Sequence, residues 1–192
     1  LNASAGGWAP GNEFGFLKSR GTFNANVVLF IWNTPDVGQP FAAFKPSLSM
    51  PTDRPMTAIG EVWSRYVSPR IFKGNAAPPD PGSIPGTSSD PAQVTANLQM
   101  LADAKDLAEK SGARFGVVYV PSPAPGWQTP AFEQDHDTLA SFAASHQIPL
   151  LDLTSAFRQN GWLTLSIDGI HLKPEGDELV AREIAAHWDF VK

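Results

Sequence analysis

Two stretches of this chain, Val27-Val28-Leu29-Phe30-Ile31-Trp32 and Arg114-Phe115-Gly116-Val117-Val118-Tyr119-Val120, are apolar along nearly their whole length and rich in β-branched and aromatic residues. A strand with one wet face alternates polar and apolar residues. These runs do not alternate, so they predict strands buried on both faces. Ile148 to Leu153 predicts a third strand, and Leu1-Asn2 reads as the end of another running into a Gly turn. Helical patterns lie between. Asp90 is a good N-cap with Pro91 at N1, opening a helix to Ser111 that stops at Gly112. Its positions Val94, Leu98, Leu101, Ala104, Leu107 and Ala108 follow the helical period. Shorter helical segments are expected over Glu13 to Arg20, Met56 to Phe72, Phe132 to His146 and Thr154 to Asn160. Pro174 opens a last helix with Leu179, Val180, Ile184 and Ala185 as its apolar stripe. Strands and helices in alternation predict an α/β fold: a layered, parallel sheet with helices on both faces.

At 192 residues and 42% apolar, the chain can bury one substantial core, so residues 1–192 are read as a single domain. From about residue 35 to 90, Pro, Gly and Ser punctuate the sequence, and 74–90 is too rich in Pro and Gly for regular structure. This stretch reads as an elaboration between core elements. A net charge of −5 without basic clusters argues against nucleic-acid partners and anionic membranes. No apolar run approaches the roughly 20 residues needed to span a bilayer. The absence of Cys excludes disulfides, thiolate nucleophiles and Cys-ligated zinc. It is compatible with both cytosol and periplasm; a periplasmic or secreted location is the one favoured.

The chemistry-bearing motif is Ser166-Ile-Asp168-Gly-Ile-His171-Leu-Lys-Pro174-Glu-Gly176. It sets a carboxylate three residues before an imidazole, on a loop that ends where a helix begins. Such a pair suits a general base and the group that orients it, although a helix cap with a surface His uses the same residues. In open parallel sheets the site lies beyond the carboxyl ends of the strands. The loops starting at Asn2–Trp8, Asn33–Asp36, Pro121–Trp127 and Thr154 should therefore meet there, and the last leads on to Asp168 and His171. His136, His146 and His187 read as surface or helix-end residues, and no His spacing suits a metal. The six Trp read mostly as core, Trp63 and Trp188 in particular, whereas Trp8 and Trp127 fall on loops of the expected active face and could stack on a substrate.

These residues resemble the SGNH (GDSL-type) serine esterases and lipases, and the likeness extends along the whole chain. Leu1-Asn-Ala-Ser-Ala-Gly-Gly7 is similar to the family's second block, which implies that Gly7 donates its backbone N–H to an oxyanion hole. The strand ending at Asn33 is similar to the third block, which implies that the Asn33 amide donates there as well. Asp168-Gly-Ile-His171 followed by Pro174-Glu-Gly176 matches the fifth block. By that likeness His171 is the base and Asp168 its orienting partner. Asp152-Leu-Thr-Ser-Ala-Phe157 is also typical of the relatives. The resemblance implies a flavodoxin-like three-layer sheet, an acyl-enzyme mechanism and no metal or organic cofactor.

Two departures from the pattern stand out. The usual Gly-x-Asn-Asp is Ile31-Trp32-Asn33-Thr34, which sets Trp32 or Ile31 to shape the acyl pocket. The Gly-Asp-Ser block with the nucleophile is absent, so the first strand–helix unit is expected to be missing from this chain. On the order of 40 residues, one strand–helix–strand stretch, are then expected to precede Leu1 or to come from a companion polypeptide carrying the Ser. Ser4, in the oxyanion turn, and Ser122, on a strand-end loop, are the internal candidates. Neither has the sharp strand-to-helix turn that presents a nucleophile. The expected activity is hydrolysis of carboxylic esters with a small acyl group, such as acetyl on a carbohydrate. An acyltransferase with the same site and an inactive binding module on the same fold are the alternatives.

Overall fold

The computed structural model describes residues 2–3, 8–41, 57–63, 67, 71, 90–122 and 128–191. The chain divides into two compact units, Leu1–Ala42 with Ile84–Lys192, and Ala43–Ser83. The second unit falls inside the stretch read as an elaboration.

In the first unit, helix α1 (Pro10–Arg20) precedes strand β1 (Val27–Asn33) and a tight 3-10 turn, Thr34–Gly38. Helix α3 (Pro91–Lys110), strand β2 (Arg114–Val120), helix α4 (Pro130–Ser145), strand β3 (Leu150–Asp152), helix α5 (Thr154–Gln159) and helix α6 (Pro174–Ala186) follow. The strands form a parallel sheet in the order β1-β2-β3, with Asn33 opposite Val120 and Tyr119 opposite Asp152. With helix α2 (Ala58–Val62) of the second unit, the described residues make a mixed α/β structure of three parallel strands and six α-helices. No helix among them is long and apolar enough to cross a membrane.

The caps follow local chemistry. Asp90 Oδ1 accepts from Ala92 N at 2.9 Å, and Pro91 takes the first helical position of α3, where no donor is needed. Helix α1 begins three residues earlier than expected, because Pro10 fills N1 and Asn12 Oδ1 accepts from Ala9 N at 3.0 Å. Strand β3 is shorter than the apolar run 148–153 that encodes it.

Side-chain alternation on β2 separates two apolar clusters. Phe115, Val117 and Tyr119 join Phe30 and Trp32 of β1, Leu17 of α1, Leu98 and Leu101 of α3, and Leu139 of α4. Val118 and Val120 face the other way, onto Leu153, Phe157, Leu165, Leu179 and Val180. Gly116 is required on that second face, because a Cβ there would collide with Val191 and Phe190. Strand β2 is thus buried on both faces, as its sequence predicts. Strand β1 is not. Phe30 and Trp32 are buried, but Ile31 is 50% exposed and Leu29 only half-buried. The cause is position: β1 is the edge of the described sheet, and the C-terminal cluster lies over β2.

The core expectation fails for Trp188, which is 40% exposed. The 3-10 turn Trp188–Val191 that follows α6 turns Phe190 and Val191 onto β2 and leaves Trp188 outside. In the second unit, helix α2 (Ala58–Val62) is capped by Thr57 Oγ1, which accepts from Gly60 N at 3.0 Å. Ile59, Val62 and Trp63 are exposed, so Trp63 is not a core residue either.

Candidate active site

The loop before α6 is built to hold Asp168 and His171 together. An antiparallel bridge pairs Ser166 with Leu172, and Ile167 N donates to His171 O at 2.8 Å. Ser166 Oγ accepts from Gly169 N at 3.0 Å, and Gly169 takes a φ of 94°, the left-handed region that glycine enters without a Cβ penalty. Gly176 lets the first turn of α6 close on this loop, since a Cβ there would stand 2.5 Å from Leu165 O.

Within this frame Asp168 Oδ1 accepts from Ile170 N at 3.1 Å and His171 N at 2.8 Å, while Oδ2 stands 2.6 Å from His171 Nδ1. Partial burial opposes ionisation of Asp168. The imidazole and the two backbone donors outweigh it and hold the carboxyl down at about 2. An ionised acceptor on Nδ1 assigns the ring proton to that nitrogen, leaving the Nε2 lone pair outward on a side chain 75% exposed. The pair can therefore take a proton at Nε2 and stabilise the resulting cation at Nδ1.

Asn33 closes β1 at the sheet's carboxyl edge. Its N–H donates to Asp36 Oδ2 at 2.6 Å, and its side-chain Oδ1 is buried without a hydrogen-bond partner among the described residues. The turn after it is pinned from α3, where Asn97 Nδ2 donates to the carbonyls of Asp36, Val37 and Gln39 at 2.9–3.1 Å. Thr34 Oγ1 accepts from Ser122 N at 2.8 Å and lies 3.0 Å from Tyr119 Oη. No hydrogen bond joins Asn33 to His171.

The other sequence candidates fall as follows. Gly7, Trp127 and Ser4 lie outside the described residues. Trp8 is half-buried, its ring 5.6 Å from Phe16. Trp32 corrects the expectation that it lines a pocket. It is wholly buried, with Nε1 donating to Glu13 Oε2 at 3.1 Å. Strand alternation explains this, because Trp32 and Asn33 are neighbours and project to opposite faces. Ile31 shares the face of Asn33 and is the open one. Ser122 is buried, and its Oγ has no partner among the described residues.

Sequence reasoning missed a second imidazole–carboxylate pair. His136 Nε2 stands 2.8 Å from Asp152 Oδ2, and its ring lies 4.7 Å from that of Tyr119. The Asp152 bond raises the His136 pKa against the effect of burial. For Asp152, burial is outweighed by His136 and Thr154, so its pKa falls. The signal available was Asp152 at a strand end followed by Thr154, whose N–H it caps at 2.8 Å. No group of three or more potential metal ligands occurs among the described residues.

No family model matches the chain, and neither a similar curated protein nor a similar solved structure was found.

Proposed function

We propose that this chain is the base-carrying part of a serine esterase of SGNH type. The observation that carries the reading is the His171–Asp168 pair: a 2.6 Å Nδ1–Oδ2 contact, a carboxylate held by two backbone N–H groups, and an outward Nε2. Nε2 takes the proton from a serine hydroxyl as its oxygen attacks an ester carbonyl, and Asp168 stabilises the imidazolium. The imidazolium returns the proton to the departing alcohol. Water, activated by the same nitrogen, then releases the acid. Gly7 N–H and the Asn33 amide hold the oxyanion in this scheme, Trp8 and Trp127 contact the substrate, and the acyl group is small, as in an acetylated carbohydrate.

The nucleophile comes from a companion segment that extends the sheet beyond β1 in the flavodoxin-like order. Two features support this. Strand β1 pairs with β2 alone among the described strands, and its Ile31 is half exposed on the open face. Uncovered hydrophobic edges are avoided in natural sheets, because they pair with whatever strand they meet. The test is hydrolysis of a short-chain aryl ester by the assembled protein. Activity lost in His171→Ala supports the reading, and full activity in that variant sinks it.

A further inference from the structure

One buried carboxyl and one partly buried carboxyl approach the end of β1 from different elements. Asp36, on the 3-10 turn, accepts the Asn33 N–H at 2.6 Å. Glu13, on α1, accepts the Trp32 indole N–H at 3.1 Å. Adjacent residues of one strand are thus gripped, Trp32 through its side chain and Asn33 through its backbone. Neither carboxylate forms an ion pair among the described residues. The charge of Asp36 bears on Tyr119 of β2, whose ring lies 4.7 Å from that of His136 on α4; His136 is itself bonded to Asp152 at the end of β3, and α3 contributes the neutral Asn97. Such an arrangement is costly for stability, since buried carboxyls without cations destabilise a fold. Its recurrence at two consecutive residues of one strand end is what a positioning role explains.

We propose that Asp36 and Glu13 are positioning residues for Asn33, clamping the strand-to-turn junction through the Asn33 N–H and the Trp32 indole so that the Asn33 side chain is held at the sheet's carboxyl edge. The consequence for a reaction rests on the esterase reading given above; the clamp itself does not. Burial, and then the charge of Asp36, push Glu13 up to about 7 against the Trp32 bond. Burial pushes Asp36 up to about 7 against the Asn33 bond. The two carboxyls therefore exchange protons with solvent near neutrality, and the grip on Asn33 tightens as Asp36 becomes a carboxylate.

The test is a pH series of proton–nitrogen NMR spectra of the chain, over about pH 5 to 9. In the wild type the Asn33 backbone amide and the Trp32 indole N–H should both move with midpoints near neutrality. In Asp36→Asn the Trp32 midpoint should fall by about one pH unit or more, because one buried charge has gone. Glu13→Gln should do the same to Asn33. Both variants are isosteric and keep an acceptor oxygen, so folding is not at stake. In the assembled enzyme Asp36→Ala should lower kcat about 10- to 100-fold with little change in KM, and Asp36→Asn should restore most of it. Flat resonances, a Trp32 midpoint unmoved by Asp36→Asn, or wild-type kcat in Asp36→Ala would overturn the proposal. A wild-type protein with no ester hydrolysis would instead overturn the esterase reading, leaving the NMR result to decide the clamp.

Discussion

Oδ2 of Asp168 lies 2.6 Å from Nδ1 of His171, while the other carboxylate oxygen accepts the backbone N–H of that same His171. One side chain therefore fixes both the ring and the backbone of its partner. A catalytic base needs this orientation, and the loop supplies it without help from any distant element.

The first prediction concerns the roles within the pair. His171→Ala should lower kcat/KM of the assembled protein by roughly three to four powers of ten, because no other group on the loop can take the serine proton. Asp168→Asn should cost somewhat less, since the carboxamide still accepts the backbone N–H groups of residues 170 and 171. Equal rates for wild type and His171→Ala, measured at saturating nucleophile segment, would contradict the assignment.

The pH dependence of Asp168 has a definite sign. Its folded pKa, about 2, lies below the ordinary 3.8. The pair's contribution to stability is complete above the ordinary value and is lost as pH falls through the folded one. Carbon NMR of the Asp168 carboxyl should show a midpoint near 2 in the wild type and a higher one in His171→Ala. A midpoint that stays put would mean that the imidazole does not set it.

Glu13 has the opposite sign. Its folded pKa of about 7 lies above the ordinary 4.5, so the fold is stabilised relative to the unfolded chain below that value and loses stability as pH rises toward 7. Glu13→Gln should exceed the wild type at pH 8 by on the order of 2–3 kcal/mol and match it in acid. Urea unfolding at the two pH values measures this; a pH-independent difference would refute it.

Asn97 anchors the turn after β1 by giving its amide to three carbonyls. Asn97→Ala removes a donor from each of those carbonyls, Asp36 O keeping Gln39 N at 3.3 Å, which should cost about 1–3 kcal/mol in urea unfolding. A cost below about 1 kcal/mol would show that water replaces the amide readily.

How much of this was legible in the sequence depends on whether a signal is local. The strand β2, the Asp90 cap and the Asp168–His171 loop are encoded by neighbouring residues, and the structure forms each where the sequence indicates. The open face of β1 was not legible, because Ile31 has the same apolar character whether or not something covers it. Trp32 was misplaced for a related reason: the Asn33 likeness drew attention to its neighbour, whereas alternation sends the two side chains to opposite faces. Asn97 and Asp36 left signals that went unused. Asn97 sits on the apolar stripe beside Val94, Leu98 and Leu101, where a polar residue must find partners. Asp36 follows Asn33 at the spacing of a capping pair. The His136–Asp152 contact joins residues on α4 and β3; Asp152 and Thr154 mark a strand-end cap, but no local pattern brings His136 to it.

The measurement that bears most directly on the central claim is intact mass spectrometry of the purified assembly after reaction with a fluorophosphonate. The account predicts a label on a serine outside residues 1–192, on a segment that stays with this chain, and loss of that label in His171→Ala. A label on Ser4, Ser122 or any other serine within the chain, or labelling indifferent to His171, would contradict it.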